Sequence, residues 1–326
     1  MNKKDEILAI IRKSDKVSVK ELEGMLPIGR VMIHRHLKKL IEENKIIRLG
    51  IPPKVYYSIK KSDSTDKQDY NINNITRKKI DNNFTLLEPN GNEIEGFDGF
   101  AMWCKERNYD TARKADEYVK LLDDYEKFTK DGFIDATSKI EKSFNKEDKF
   151  LDKLYYLYPY SLPVFGKTKM GQWLFHAKQT QNKILMKKVI DIVRPQIINF
   201  IKKERVDSVG FVPPTVPRNI QFMKELEKSL NLKVPIIKIE KIKMPIMIQQ
   251  KSLKDLKDRI RNAEETMAIE NNSHDYKNTL IIDDFTGSGS TLNIIARNIK
   301  KKKISDNVYG LTIAGSMNGF EVIKEV

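Results

Sequence analysis

The sequence predicts an α/β protein with a parallel sheet in its C-terminal half, and two observations lead to this fold class. Short apolar runs typical of strands lie at residues 206–212, 234–239, 280–282 and 308–314. Stretches with apolar residues at helical spacing separate these runs, and such alternation is typical of a parallel sheet covered by helices. A ligand site in a sheet of this kind opens at the carboxyl ends of the strands.

Changes in composition along the chain predict four regions. They are a basic module at 1–61, a polar linker at 62–83, a mostly helical region at 84–165 and the sheet-containing region at 166–326. Within the helical region we expect a small hairpin around 89–92 and further helix over 139–158.

The composition excludes several classes of protein. No apolar run approaches the roughly 20 residues that a membrane span needs. The charged N-terminus lacks an apolar signal segment, so we expect a cytoplasmic protein with no membrane partner. Cys104 is the only cysteine of the 326 residues, which excludes a disulfide framework and a zinc finger. The net charge of +15 favours a polyanionic partner.

The basic excess is concentrated at the N-terminus, where residues 1–61 hold 15 Lys and Arg against 7 Asp and Glu. Apolar spacing predicts three helices in this module, the third burying Ile33, Leu37, Leu40 and Ile41. Strands at 46–49 and 55–59 then flank a hairpin tip at 50–54.

Three helices followed by a hairpin resemble a winged helix-turn-helix domain. The resemblance implies that the third helix enters the major groove of DNA and that the wing contacts the backbone. The residues that it assigns to DNA are Arg30, His34, Arg35, Lys38, Lys39, Arg48 and Lys54. Such domains usually bind as dimers, so a homodimer is expected. The alternative is a module that contacts only protein, with its charges solvated.

The stretch 280–292 is the most informative part of the chain. Leu280, Ile281 and Ile282 end a buried strand, two carboxylates follow at Asp283 and Asp284, and a turn of small residues leads into an amphipathic helix. Glycines let the backbone approach an anion, and the amides and dipole of the helix N-terminus favour it. Two carboxylates beside a phosphate fit a ligand that also carries hydroxyls and a divalent cation.

This stretch resembles the signature of type I phosphoribosyltransferases, which bind phosphoribosyl pyrophosphate (PRPP). The resemblance implies that Asp283 and Asp284 contact the ribose hydroxyls, with Mg²⁺ accompanying the ligand and no side chain assigned as a metal ligand. The 5′-phosphate would lie on Thr286, Gly287, Ser288, Gly289, Ser290 and Thr291. Gly287 stands where many members have Thr, which removes one hydroxyl contact.

Other interpretations of the stretch are weaker. A P-loop needs a Lys in the loop, and a dinucleotide fingerprint needs G-x-G-x-x-G; both are absent. A DNA amino-methyltransferase is the serious rival, because residues 284–291 are similar to its cofactor motif. That motif's Pro is missing, however, and only 34 residues follow Leu292.

Two further loops would open on the same sheet edge. In phosphoribosyltransferases the corresponding loops hold pyrophosphate, which implies that role for Thr215 and Arg218, and for Lys241 and Lys243. A surface Arg beside a Pro-rich strand end is the alternative for Arg218. The segments 174–178 and 249–263 are similar to parts of ComF-type members of the family.

The whole chain thus resembles a winged helix fused to a ComF-like phosphoribosyltransferase domain. One implied function is a DNA-binding transcriptional regulator that responds to nucleotide status through PRPP. The alternative is an active Mg²⁺-dependent transferase in which Arg218, Lys241 and Lys243 assist pyrophosphate departure. A nucleic-acid-tethered effector that ribosylates or cleaves nucleotides is a third possibility.

Overall fold

The computed structural model describes residues 2–50, 52–60, 72–242, 255–270 and 275–316, without the side chains of Leu256 and Arg259. The chain divides into two compact units, Met1–Asp69 and Tyr70–Val326, which we call unit 1 and unit 2.

The described residues of unit 1 form three helices and a small antiparallel sheet of strand order β1-β3-β2. Its elements are α1 Lys3–Lys13, β1 Val17–Ser18, α2 Val19–Met25, α3 Arg30–Glu42, β2 Ile46–Leu49 and β3 Tyr56–Ile59. Ser18 begins α2 with a reciprocal capping box to Glu21. Ile33, Leu37 and Leu40 are buried as expected, but Ile41 is 37% exposed because it lies beside this stripe on the helix. The expectation of a buried Ile41 was therefore wrong.

Unit 2 begins with helices and hairpins. Its first elements are α4 Asn74–Asn83, β4 Thr85–Leu87, β5 Glu93–Glu95, α5 Gly96–Glu106, α6 Thr111–Glu126, β6 Thr129–Lys130, β7 Phe133–Asp135, α7 Thr137–Ser143, a 3-10 turn Lys146–Asp148, β8 Lys153–Pro159, β9 Ser161–Leu162, β10 Gly166–Lys167, α8 Lys169–Thr180 and α9 Lys183–Lys203.

The rest of unit 2 alternates strands with helices. These elements are β11 Ser208–Phe211, α10 Phe222–Leu230, β12 Ile236–Ile237, β13 Ile239–Lys241, α11 Leu256–Thr266, β14 Met267–Ile269, β15 Tyr276–Thr286, α12 Ser290–Lys301 and β16 Ser305–Gly315.

A seven-stranded, mainly parallel sheet is the centre of unit 2, which is therefore mixed α/β. Its strand order is β12-β11-β15-β16-β8-β7-β6, and the first five strands are parallel. Alternate side chains of β15 enter the two opposite layers of core. Leu280 and Ile282 belong to the layer that includes residues of α8, α9 and α10, whereas Ile281 belongs to the layer that includes residues of α5, α6 and α12. These five parallel strands bring their carboxyl ends to one edge.

Three expectations about the elements of unit 2 were wrong. Of the predicted linker at 62–83, residues 62–71 lie outside the described residues, and residues 74–83 form helix α4, which Asn73 caps and whose Ile80 is fully buried. The helix expected over 139–158 breaks into α7 and strand β8, because the Leu154–Tyr158 run pairs with β16. The strand expected at 234–239 splits, and β13 leaves the main sheet to pair with β14.

None of the described helices combines the length and apolar character needed to cross a bilayer.

Candidate functional site

The acidic pair lies on β15 itself rather than after it. Asp283 pairs in register with Thr312 of β16, and the strand continues to Thr286. Successive strand residues point to opposite faces, so Asp284 lies on the side of Ile282 and helix α8, and Asp283 on the side of Ile281. The backbone amide of Asp284 donates to Oδ1 of Asp283 at 2.7 Å.

Lys178, near the end of α8, forms an ion pair with Oδ2 of Asp284. Both side chains are largely shielded, with 29% of Lys178 and 15% of Asp284 exposed. Water screens such a pair less than a surface pair, so it holds Asp284 in place. The sequence carried no signal for this contact, because the two residues are more than 100 positions apart.

Asp283 experiences a different environment. Removal of its carboxylate from water raises the pKa of Asp283 well above its usual range, and the adjacent Asp284 raises it further. The ammonium groups of Lys178 and Lys241 oppose this shift. The pair therefore has unequal members, with Asp284 held by a cation and Asp283 inclined to keep its proton.

The loop at 287–289 leads directly into α12. Gly289, with φ of +77°, is the cap of this twelve-residue helix. Ser288 and Ser290 are buried, and their hydroxyls bond to each other at 3.1 Å. Thr286 is also buried, whereas Gly287 and Thr291 are half-buried. Several of the predicted phosphate contacts are thus engaged within the protein, and backbone amides remain as the donors.

The backbone amides of the loop are well placed to bind an anion. Within the described part of the chain, those of Gly287, Ser288, Gly289 and Thr291 donate to no acceptor. The positive end of the α12 dipole is added to these donors.

Helix α7 lies against this loop, a contact that sequence reasoning missed. Nζ of Lys139 donates to the carbonyl oxygen of Gly287 at 3.1 Å. Burial lowers the pKa of Lys139 to about 8. The side chain of Ile140 lies where a Cβ at position 289 would be, so glycine permits this close approach.

The structure brings together part of the predicted pyrophosphate set. Nζ of Lys241 donates to Oγ1 of Thr215 at 3.1 Å, and burial lowers the pKa of Lys241 while Asp283 raises it. Arg218 is half-buried and donates to Gln179 at 3.4 Å, next to Lys178 on α8. Lys243 lies outside the described residues.

An aromatic pair lies beside the acids. The ring of Phe285 is 37% exposed and its centroid is 4.8 Å from that of Tyr160, at an interplanar angle of 58°. Tyr160 follows β8, and its amide donates to the carbonyl of Gly315. The sheet edge thus offers a partly exposed aromatic surface directly after the acidic pair in the chain.

In unit 1, the seven residues assigned to DNA have exposed side chains. They are Arg30, His34, Arg35, Lys38, Lys39, Arg48 and Lys54. Lys38 makes a long 3.9 Å ion pair with Glu42 on the same helix, where both side chains are well solvated. Such a pair restrains Lys38 little.

Comparison with known proteins gives a limited result. Neither a protein-family model nor a curated protein matches the chain. Among solved structures, adenine phosphoribosyltransferase from Saccharomyces cerevisiae is similar, with 18% identity and a TM-score of 0.27 over 40% of this chain and 69% of that one. Hypoxanthine phosphoribosyltransferase from Staphylococcus aureus has 14% identity and a TM-score of 0.24, over 43% of this chain and 82% of that one.

The adenine phosphoribosyltransferase of Trypanosoma brucei, solved with AMP, pyrophosphate and ribose-5-phosphate, is also similar. Its identity is 13% and its TM-score 0.24, over 55% of this chain and 80% of that one. Sequence identities and TM-scores as low as these assign no function to the chain.

Proposed function

We propose that unit 2 binds PRPP at the carboxyl edge of its sheet, and that unit 1 binds DNA, so that the chain is a nucleotide-responsive transcriptional regulator. One observation carries the ligand assignment. Two adjacent carboxylates lie near the end of β15, and a loop with unsatisfied amides follows at the start of α12. Hydroxyl-binding and phosphate-binding groups are thus a few residues apart, as a phosphorylated ribose requires.

The charges around the acids fit the remaining part of PRPP. Asp283 and Asp284 would accept hydrogen bonds from the ribose hydroxyls, and the amides after Gly287 would hold the 5′-phosphate. Lys241 with Thr215 would meet the pyrophosphate, and Arg218 lies near enough to α8 to add its fork of donors.

Mg²⁺ fits this assignment as a companion of the ligand. The described residues contain no group of three or more His, Cys, Asp and Glu side chains that could hold a metal by themselves. Mg²⁺ commonly binds one or two carboxylates together with ligand phosphates. Asp283 and Asp284 would supply such carboxylates, and the ion would neutralise charge on the pyrophosphate.

The proposal for unit 1 is supported by the position of its exposed basic residues. The basic residues lie on α3 and on the β2–β3 hairpin, the elements that a winged helix presents to the groove and to the backbone. A homodimer would match a two-fold operator. PRPP would change DNA affinity only by favouring one of two conformations of the chain.

Calorimetry with PRPP and Mg²⁺ tests the ligand assignment, with S-adenosylmethionine as the alternative ligand. We expect saturable PRPP binding that Asp283→Ala and Asp284→Ala each abolish, while DNA binding of both variants is retained. Binding of S-adenosylmethionine instead would favour the methyltransferase and overturn the assignment.

An active phosphoribosyltransferase is the second candidate, and the aromatic pair of Phe285 and Tyr160 favours it. A partly exposed ring next to Asp284 is a surface on which a nucleobase could stack. In that reaction a base nitrogen forms a bond to C1 of the ribose as the bond to pyrophosphate breaks. Release of pyrophosphate on mixing PRPP with a panel of nucleobases would select this candidate over the regulator.

A further inference from the structure

Lys139 is a shielded cation whose partner carries no charge. Its side chain is half-buried, and its ammonium donates to the carbonyl oxygen of Gly287 at 3.1 Å. Among the described residues, no carboxylate lies within ion-pair distance of its ammonium group. A carbonyl dipole offsets only part of the cost of removing an ammonium from water.

The charged groups around α7 have other partners. Glu141 pairs with Lys149 at 2.8 Å, and Asp135 accepts from the amide of Thr137 at 2.8 Å. Tyr156, on the adjacent β8, is buried, and burial raises its pKa so that it stays neutral. None of these groups neutralises Lys139.

Two independent features therefore converge at Gly287. The ammonium of Lys139 approaches the loop from α7, and the loop amides have no acceptor within the described part of the chain. A cation and several amide donors at one loop are the groups that bind an anion such as phosphate. Burial holds the pKa of Lys139 to about 8, as expected for an ammonium without a counter-charge.

We propose that Lys139 binds the 5′-phosphate of the ligand, its ammonium moving from the Gly287 carbonyl to a phosphate oxygen on binding. The proposal rests on the proposed ligand site and adds a contact from α7, outside the strand–loop–helix that suggested it. The bond of the Lys139 ammonium to a charged phosphate oxygen is stronger than its bond to a neutral carbonyl. Phosphate binding therefore favours the move of Lys139 away from Gly287.

The first test compares Lys139→Met with Lys142→Met, which removes an exposed lysine of the same helix. We expect Lys139→Met to weaken PRPP binding roughly tenfold or more, and Lys142→Met to leave it unchanged. Lys139→Arg should recover most of the affinity. Ribose without phosphate should bind wild type and Lys139→Met equally.

Proton uptake and stability distinguish this role from a purely structural one. Phosphate should raise the pKa of Lys139, so wild type should take up protons on binding at about pH 8–9, and Lys139→Met should take up fewer. Contributions from Asp283 and Lys241 are common to both proteins and cancel in the difference. Calorimetry in buffers of different ionisation enthalpy measures the number of protons that each protein takes up on binding. The Tm of Lys139→Met should equal or exceed that of wild type.

Three outcomes separate the alternatives. If wild type binds no PRPP, the proposed function and the role of Lys139 both fail. If wild type binds PRPP and Lys139→Met binds it as tightly, with unchanged proton uptake, only the role of Lys139 fails. A lowered Tm with unchanged affinity would make Lys139 a structural link between α7 and the loop, which also overturns the proposal.

Discussion

Lys178 and Asp284 form an ion pair that joins helix α8 to the end of the central strand β15. The same helix end also contacts the loop before α10, since Gln179 accepts from Arg218 and Gln181 accepts from the amide of Ile220 at 2.9 Å. One helix terminus thus touches the acidic pair and one of the predicted pyrophosphate loops. Any ligand that competes for Asp284 must act against this pair.

Replacing Lys178 should therefore lower the stability of unit 2 and remove the cation partner of Asp284. We expect Lys178→Met to lower the free energy of unfolding by about 1–2 kcal/mol, because it leaves the carboxylate of Asp284 shielded without a cation. Lys183→Met, at an exposed position of α9, should have little effect. Denaturant unfolding measures both, and a double-mutant cycle with Asp284→Asn gives the pair energy. A coupling energy of zero would mean that the pair contributes nothing.

Asp283 should make the stability of unit 2 depend on pH. Because the folded pKa of Asp283 is raised, its contribution is fully present below the ordinary value of 3.8 and is lost as pH rises through the folded value. Asp283→Asn removes this loss, so the variant should lose less stability than wild type between about pH 4 and pH 8. Asp306→Asn, at an exposed site on β16, should behave as wild type. Denaturant titrations at several pH values compare the three, and parallel curves for wild type and Asp283→Asn would contradict the assignment.

The basic β2–β3 hairpin predicts a salt-dependent affinity for DNA. We expect Arg48→Ala and Lys54→Ala, at the wing positions assigned to the DNA backbone, to weaken binding to duplex DNA, and each lost phosphate contact should reduce the slope of log K against log salt by about 1. Lys13→Ala, an exposed residue at the end of α1, is the matched control. Fluorescence anisotropy at several salt concentrations gives the slopes. Equal slopes for all four proteins would contradict phosphate contacts by Arg48 and Lys54, and no binding of DNA by wild type would favour a module that contacts only protein.

Local patterns were sufficient to predict the strand–loop–helix of 280–301, because a buried strand and an amphipathic helix each have a characteristic period. Leu280 to Ile282 and the Leu292, Ile295 and Ile299 stripe lie in the core as their spacing indicates. The extension of β15 through both acids had no such signal, since it depends on pairing with β16.

Contacts between distant parts of the chain could not be read from the sequence. Asn293 looks like an ordinary helix residue, yet it is fully buried, and its Oδ1 accepts from the amides of Phe150 and Leu151 at 2.9 and 3.0 Å. Lys139 and Lys178 reach the site in the same way, from helices whose patterns only indicated packing. Strand β8 was missed because its aromatic run suits a helix face as well as a sheet, and the paired residues of β16 lie 156 positions downstream.

Gly289 should be the least replaceable residue of the loop, for two separable reasons. Its φ of +77° disfavours any side chain, and a Cβ there would meet Ile140 and Leu154 of the core. Gly132 has a φ of +82° with nothing within 4 Å of its Cβ position, so Gly132→Ala measures the backbone cost alone. We expect Gly132→Ala to cost about 1 kcal/mol and Gly289→Ala about 2–4 kcal/mol in unfolding free energy. Denaturant unfolding compares them, and equal costs would mean that α7 does not press on the loop. Ile140→Ala should then fail to offset Gly289→Ala, whereas a close contact predicts less than additive losses for the pair.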